Sequence, residues 1–184
     1  MDAKQALRTE LRRQAKRLAA SDFSHEDAMS CDALLQSSAY KQATMLFAYA
    51  PMEDEVNITA LLEHAIANKA LALPVCKEDG IITFFRVENL ASLTAGRYGI
   101  LEPKQELQVE PTMHDLLVIP GLAYTRNGRR LGRGKGYYDR YLASNPDFFT
   151  IGICRSHQLL EDIPTDAWDK SVRTVLCAGV FICL

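Results

Sequence analysis

Apolar residues follow two different patterns along this chain, and the first of them is helical. From residue 3 to about residue 19 they recur three or four positions apart with Lys and Arg between them, which predicts an amphipathic helix. Ser24 and Asp27 form a candidate capping box for a second helix, which is predicted to end near Gln36. The start of the chain is therefore predicted to be helical.

Beyond this start, the apolar residues form short continuous runs that are typical of buried strands. Asn57 follows the first run and is predicted to cap a helix with one apolar stripe. The predicted strands are residues 44–50, 70–75, 81–87, 116–119, 149–154 and 175–182. Alternating strands and helices predict one three-layer α/β/α domain over residues 1–184. Its sheet is open and largely parallel, helices cover both faces, and ligands bind at the carboxyl ends of the strands.

Composition limits the class of protein. The 184 residues fall short of the roughly 250 at which a single core begins to split. With 48% hydrophobic and 24% charged residues the chain is typical of a globular protein, and its net charge of −2 gives no overall reason to expect a nucleic acid or an anionic membrane as partner. The first residues lack the apolar stretch of a secretory signal, so we expect a cytoplasmic location; a mitochondrial transit peptide is the alternative.

The cysteines and histidines suggest no metal site. The five cysteines are widely spaced and form no C-x-x-C pair, which argues against a disulfide framework and against a zinc ribbon. We therefore expect free thiols in a reducing compartment. The four histidines show no paired metal spacing, and no catalytic histidine is expected.

One segment, residues 126–140, concentrates positive charge directly after a predicted strand. It contains six Lys or Arg residues and one Asp, a net +5 that leaves −7 on the rest of the chain. Gly132, Gly134 and Gly136 allow positive φ and let backbone N–H groups approach an anion, and the two tyrosines that follow can begin a helix aimed at it. Phosphate suits that arrangement.

The two standard phosphate motifs do not fit this segment. A dinucleotide fingerprint from Gly132 requires glycine where Tyr137 stands. A Walker A loop that uses Lys135 requires glycine in place of Arg129 and Ser or Thr in place of Gly136. A flexible solvated turn and a basic RNA-binding patch remain alternatives to phosphate binding.

The same segment resembles the signature of the 5-formyltetrahydrofolate cyclo-ligase family, also called 5,10-methenyltetrahydrofolate synthetases. The resemblance rests on Pro120-Gly121 and on the run Arg130-Leu131-Gly132-Arg133-Gly134-Lys135-Gly136-Tyr137-Tyr138-Asp139. Weaker similarity extends from Lys4 to about Asp169. It includes Lys4, Arg8, Met52, Glu55, Tyr98-Gly99-Ile100, Glu102-Pro103, Gln158 and Asp169.

This resemblance implies an ATP- and Mg-dependent ligase that converts 5-formyltetrahydrofolate to 5,10-methenyltetrahydrofolate with release of ADP and phosphate. The formyl oxygen would attack the γ-phosphate of ATP, and N10 would then displace phosphate. We expect a monomer that acts on this small molecule, with neither nucleic acid nor membrane as partner.

The resemblance also implies the residues of the site. Those implied to bind ATP are Lys4, Arg8, Arg130, Leu131, Gly132, Arg133, Gly134, Lys135, Gly136, Tyr137 and Tyr138. Those implied to bind the folate are Ala50, Met52, Glu55, Arg133, Gly134, Lys135, Gly136 and Tyr137.

The resemblance implies three further roles, each of which suits the chemistry. Lys135 and Arg133 are expected to be catalytic, because phosphoryl transfer depends on positioning and charge neutralisation. Asp139 and Asp169 are expected to hold Mg²⁺, which usually takes one or two carboxylates together with phosphate and water. Glu55 is expected to accept hydrogen bonds from the pterin N–H groups.

Four positions depart from the family pattern. Thr125 stands where an aspartate is expected, Trp168 where His or Asn precedes the family's aspartate, and Cys177 where a Thr-Glu pair is usual. Arg173 stands where a second acid is expected, and it is predicted to pair with Asp169 and compete with the metal. A folate- or nucleotide-binding relative without ring closure therefore remains an alternative. A nucleic-acid-binding module that uses the +5 segment is a second alternative.

Overall fold

The helical start of the chain forms three helices in the computed structural model, which describes residues 2–18 and 20–183, without the side chains of residues 20–22 and 183. Helix α1 (Ala3–Arg17) is capped by the Asp2 carboxylate. Helices α2 (Ala20–Gln36) and α3 (Ser38–Gln42) meet at Ser37, whose hydroxyl accepts the Tyr40 N–H. The expected end of the first helix at Ala19 lies outside the described residues.

The predicted capping box of the second helix is wrong. Helix α2 begins at Ala20, so Ser24 and Asp27 lie inside it. The buried Asp27 carboxylate accepts hydrogen bonds from Nε and Nη2 of Arg155, each at 2.8 Å. A carboxylate that takes part in a tertiary ion pair is not available as a cap, and a local pattern does not reveal such a pair.

Two more helices follow, α4 (Thr59–Asn68) and α5 (Tyr137–Ser144). Oδ1 of Asn57 accepts the Thr59 N–H at 3.0 Å, which agrees with its predicted capping role, although Ile58 is the N-cap by backbone geometry.

The described strands are β1 (Met45–Phe47), β2 (Ala70–Cys76), β3 (Ile82–Val87), β4 (Thr94–Ala95), β5 (Leu101–Glu102), β6 (Gln108–Val109), β7 (Leu116–Ile119), β8 (Ala123–Thr125), β9 (Arg130–Leu131), β10 (Phe149–Cys154), β11 (Leu159–Leu160), β12 (Thr174–Cys177) and β13 (Val180–Cys183). The main sheet has the order β13-β12-β10-β7-β1-β2-β3-β6, and its five central strands, from β12 to β2, are parallel.

Alternate residues of β1 face different helices, as the pleat of a strand requires. Leu46 belongs to the core that α2, α3 and α4 cover, whereas Phe47 belongs to the core on the opposite face, where Leu142 of α5 packs. The predicted three-layer fold with an open, largely parallel sheet is confirmed.

The last predicted strand, residues 175–182, is wrong as a single element. It forms two antiparallel strands, β12 and β13, joined at Ala178 and Gly179. Both joining residues have positive φ, 45° and 83°, which is the backbone of a tight hairpin turn. The two- and three-residue strands β4, β5, β6, β8, β9 and β11 were not predicted, because such short runs carry no detectable period.

The small sheet β11-β8-β9 attaches helix α1 to the rest of the molecule. Leu11 of α1 packs there against Leu122, Ala123, Leu131 and Ile163. Because β9 leads directly into the glycine-rich segment, this cluster fixes α1 beside that segment.

Two further expectations concern the membrane and the thiols. Among the described helices, none is long and apolar enough to cross a membrane. Cys31, Cys76, Cys154 and Cys177 are free, as predicted, and the side chain of Cys183 lies outside the described residues.

Candidate active site

A cleft of about 830 Å³ lies where β1, β2 and β7 end, which is the predicted place for a ligand. Helix α1 and the first turn of α5 form its other sides. All of the residues that the sequence assigns to the site line this cleft: Lys4, Arg8, Ala50, Met52, Glu55, Arg130, Leu131, Gly132, Arg133, Gly134, Lys135, Gly136, Tyr137, Tyr138, Asp139 and Asp169. Their roles in binding stay predictions.

The glycine-rich loop differs from the prediction at one of its three glycines. Gly134 and Gly136 have φ values of 96° and 68°, and Gly136 is the N-cap of α5, so Tyr137 begins a helix as predicted. Gly132 does not have positive φ. Its small size is needed instead, because a Cβ there would lie 2.6 Å from Nη1 of Arg130.

One side of the cleft, here called the substrate wall, consists of the lining residues Met52, Glu55 and Arg133 together with Asp54, which pairs with Arg133 but does not line the cleft. Oε2 of Glu55 accepts a hydrogen bond from the Met52 N–H at 3.0 Å. Oε1 accepts two hydrogen bonds from Arg133, one from Nε at 3.2 Å and one from Nη2 at 3.1 Å. Nη2 of Arg133 also donates to Asp54 at 2.5 Å. Sequence reasoning missed Asp54, for which adjacency to Glu55 was the available signal.

Burial sets the protonation of the substrate wall. Glu55 is only 8% exposed, and this burial raises the pKa of its carboxyl group above the ordinary value, although the nearby Arg133 guanidinium opposes the shift. Glu55 therefore releases its proton at a higher pH than an ordinary glutamate does.

A second part of the cleft, here called the nucleotide wall, consists of Lys4, Arg8, Asp139, Asp166 and Asp169. Nζ of Lys4 donates to Asp166 at 2.6 Å and to Asp169 at 2.5 Å, which ties α1 to a loop near the C-terminus. Nε of Arg8, one turn along the helix, donates to the carbonyl oxygen of Gly132 at 2.9 Å. Sequence reasoning missed Asp166.

The predicted pairing of Arg173 with Asp169 is wrong. Arg173 donates through Nη2 to the Pro146 carbonyl oxygen at 3.2 Å, and Lys4 takes its expected place beside Asp169. Burial alone would raise the pKa of Asp169, but the hydrogen bonds from Lys4 and from the Asp166 N–H lower it below the ordinary value. Asp169 is therefore held as a carboxylate.

Arg130 forms a buried ion pair with Asp139. Its side chain is 3% exposed, and Nη2 donates to Oδ1 of Asp139 at 2.9 Å. The Lys170 N–H donates to the same oxygen at 3.2 Å. Arg130 is therefore engaged by an acid and is less available to a phosphate than the sequence suggested.

Asp139 and Asp169, the two predicted metal ligands, each have one carboxylate oxygen that accepts no hydrogen bond from a described residue. Within the described part of the chain, no hydrogen bond reaches Oδ2 of Asp139 or Oδ1 of Asp169. The same residues contain no group of three or more His, Cys, Asp or Glu side chains that could hold a metal alone. This donor set fits Mg²⁺, whose remaining ligands would be phosphate and water.

Lys135 differs from three of the arginines in the 126–140 segment. Its side chain is exposed and forms no ion pair with any described residue, whereas Arg129, Arg130 and Arg133 each pair with an acid. Lys135 is therefore the loop cation best placed to meet an incoming anion.

The departures from the family pattern fall in different places. Thr125 is buried, its hydroxyl accepts the Arg129 N–H in the turn between β8 and β9, and it does not line the cleft. Cys177 is a buried strand residue that does not line it either. Trp168, by contrast, lines the cleft and is 69% exposed. Of these three departures, Trp168 is therefore the one that changes the lining of the cleft.

Three further residues on which the family resemblance rests are Gln158, Tyr137 and Tyr98. The first two form hydrogen bonds that fix the backbone, and the third lines the cleft. Gln158 donates to the carbonyl oxygens of Gly121 and Leu122, each at 3.3 Å, and so ties the end of β10 to the chain after β7. The Tyr137 hydroxyl donates to the Lys77 carbonyl oxygen at 3.0 Å, which fixes the start of α5. Tyr98 lines the cleft with a left-handed φ of 59°.

Comparison with known proteins adds independent information. A model of the 5-formyltetrahydrofolate cyclo-ligase family matches residues 1–178. A 5-formyltetrahydrofolate cyclo-ligase of Haemophilus influenzae is 29% identical over 180 residues, which cover 94% of this chain and 96% of that protein.

Two solved structures share the fold. A 5,10-methenyltetrahydrofolate synthetase of Aquifex aeolicus superposes with a TM-score of 0.86 at 30% identity and covers 98% of this chain and 92% of its own. A 5,10-methenyltetrahydrofolate synthetase of Mycoplasma pneumoniae gives a TM-score of 0.74 at 26% identity, with 95% and 98% covered.

Proposed function

The chain belongs to the 5-formyltetrahydrofolate cyclo-ligase family, and we propose that it catalyses the ATP- and Mg-dependent closure of 5-formyltetrahydrofolate to 5,10-methenyltetrahydrofolate. The observation that carries this proposal is the single cleft in which the substrate wall and the nucleotide wall meet across the glycine-rich loop. A reaction that transfers a phosphoryl group from a nucleotide to a folate needs both binding surfaces in one cavity.

In the proposed reaction, the oxygen of the formyl group on N5 attacks the γ-phosphorus of ATP and takes its phosphoryl group, and ADP leaves. N10 then attacks the activated formyl carbon, loses its proton and displaces phosphate. Bound Mg²⁺ would neutralise phosphate charge, with Asp139 and Asp169 as its protein ligands.

The chain's own cations fit the charge that develops during this transfer. Lys135, unpaired and exposed at the loop, would neutralise the transferred phosphoryl group. Arg133 lies between that loop and Glu55, so it would hold the reacting parts of both substrates in register.

Glu55 would orient the pterin. A ligand would replace Arg133 as the hydrogen-bond donor to Oε1, while Oε2 would keep its hydrogen bond from the Met52 N–H. A carboxylate anchored by one oxygen can accept the amino and ring N–H groups of a pterin with the other.

The main alternative is a relative that binds folate or nucleotide without closing the ring. The exposed Trp168 at the cleft motivates it, because this side chain replaces a polar residue of the family pattern. A nucleic-acid-binding module is less favoured, since Arg129, Arg130 and Arg133 are neutralised by acids of the chain itself.

The proposal is tested by mixing the protein with 5-formyltetrahydrofolate, ATP and Mg²⁺ and following the methenyl product by its near-ultraviolet absorbance. We expect a rise that requires both ATP and Mg²⁺. Folate binding by calorimetry without any rise would support the binding-only alternative. The cytoplasmic location and the monomeric state stay predictions, which fractionation and light scattering would test.

A further inference from the structure

We propose that the buried pair Asp27–Arg155 positions Glu55 for folate, although neither residue lines the cleft. This inference rests on the proposed function, because it assigns a purpose to the fixed placement of Glu55. Asp27 and Arg155 would be positioning residues, since they act on the substrate only through Glu55.

The pair joins two elements that are far apart in sequence. Asp27 lies in α2, and Arg155 follows β10 at its carboxyl end. Nε and Nη2 of Arg155 donate to the two carboxylate oxygens of Asp27, each at 2.8 Å, with the side chains only 4% and 9% exposed. Two parallel hydrogen bonds fix the orientation of both groups.

Both members of this pair also hold the backbone around Glu55. Nη2 of Arg155 donates to the Glu55 carbonyl oxygen at 2.6 Å. Oδ2 of Asp27 accepts the Asn57 N–H at 3.0 Å. The pair therefore clamps residues 55–57 on the side away from the cleft.

The clamp leaves the Glu55 side chain little freedom. Its backbone is fixed by Arg155, and its Oε2 by the Met52 N–H. The remaining oxygen faces Arg133 within the cleft. A side chain restrained in this way does not have to be ordered again when the ligand binds, which improves affinity.

Stability alone is a poor explanation for the pair. Burying two charges costs desolvation free energy, and apolar residues of similar size often stabilise a protein equally well. Nη1 of Arg155 is buried without a hydrogen-bond partner among the described residues, which adds to the cost. The pair supplies what apolar side chains cannot, namely directed hydrogen bonds to the backbone of residues 55–57.

The test uses Arg155→Lys, which keeps the charge but cannot donate to Asp27 and to the Glu55 carbonyl oxygen in the same geometry. We expect the KM for 5-formyltetrahydrofolate to rise about tenfold while the KM for ATP changes less than about twofold. Calorimetric affinity for 5-formyltetrahydrofolate without ATP should fall by the same factor. Arg129→Lys is the matched control, since it alters the exposed 2.7 Å pair with Asp162 outside the cleft.

Asp27→Asn provides a second variant if Arg155→Lys does not fold. It removes one charge but keeps an acceptor for the Asn57 N–H, so a smaller rise in the folate KM is expected. A lower Tm with unchanged folate affinity, or an equal loss of folate and ATP affinity, would overturn the inference. Absence of both turnover and folate binding in the unmodified protein would overturn the proposed function as well.

Discussion

The substrate wall and the nucleotide wall of the cleft both join a cation to two acids, yet they shift the pKa of a key acid in opposite directions. On the substrate wall, burial raises the pKa of Glu55. On the nucleotide wall, two donors outweigh burial and lower the pKa of Asp169. The difference lies in burial and not in the number of donors, because both carboxylates accept hydrogen bonds from two residues, whereas the more deeply buried Glu55 carries the larger desolvation cost.

This contrast indicates how each wall meets its ligand. Glu55 is held by the Met52 N–H and by Arg155, so we expect the substrate wall to keep its shape when a ligand binds. The nucleotide wall is instead held together by Lys4 and its acids. Phosphate would compete for Lys4, and Mg²⁺ would compete for Asp169, so we expect these ion pairs to exchange when the nucleotide binds.

The largest expected effect concerns the loop that joins the two walls. Lys135→Ala should lower kcat/KM by about 10²- to 10³-fold, because an unpaired cation at the phosphoryl group is lost. Steady-state kinetics would measure this, with circular dichroism confirming an intact fold. Lys104→Ala, which removes an exposed lysine that does not line the cleft, is the control. Unchanged turnover in Lys135→Ala would contradict the site assignment.

A smaller effect distinguishes the acids of the nucleotide wall. Asp169→Asn should raise the Mg²⁺ concentration needed for half-maximal activity by about 10- to 100-fold, since an assigned metal ligand is neutralised. Asp166→Asn is the comparison, because Asp166 also contacts Lys4 but is not assigned to the metal. An equal Mg²⁺ requirement in both variants would show that the two acids do not differ in this way.

The substrate wall should respond to pH. The pKa of Glu55 is raised above the ordinary 4.5, so the carboxylate gains a proton as pH falls through a range above that value. The folate KM should therefore rise on acidification within this range. Glu55→Gln should raise the folate KM about tenfold and remove this pH dependence. A pH profile that is the same in both proteins would refute the assigned role.

The smallest expected effect is spectroscopic. Trp168 is the single tryptophan of the chain, and it lines the cleft with 69% of its surface exposed. ATP with Mg²⁺ should change its fluorescence emission as the environment of the indole ring changes. Emission that stays constant while calorimetry detects nucleotide binding would place the nucleotide away from the 166–169 loop.

The sequence predicted the parts of this molecule that local patterns determine. Strands β7 and β10 have the predicted bounds, because each is a short and mostly apolar run. The capping box assigned to Ser24 and Asp27 is wrong, because Asp27 pairs with Arg155, 128 residues away. The final hairpin was missed because its turn uses Ala178, a residue that rarely adopts positive φ.

The residues of the candidate site likewise fall into two groups, those that a local sequence pattern reveals and those that it does not. The glycine-rich loop was found because its residues are contiguous in the sequence. Asp54 and Asp166 were not found, because their partners lie 79 and 162 residues away. Ion pairs between such distant residues exist only in the folded chain, so the sequence contains no signal for Asp166, and for Asp54 it contains only the adjacency to Glu55.

The most direct test of the central claim is the amount of ADP formed per methenyl product when 5-formyltetrahydrofolate is limiting and ATP is in excess. If the two walls bring both substrates to one loop, one ADP should appear for each methenyl group and none without the folate. ADP formation that is independent of the folate, or methenyl formation without ADP, would contradict the account.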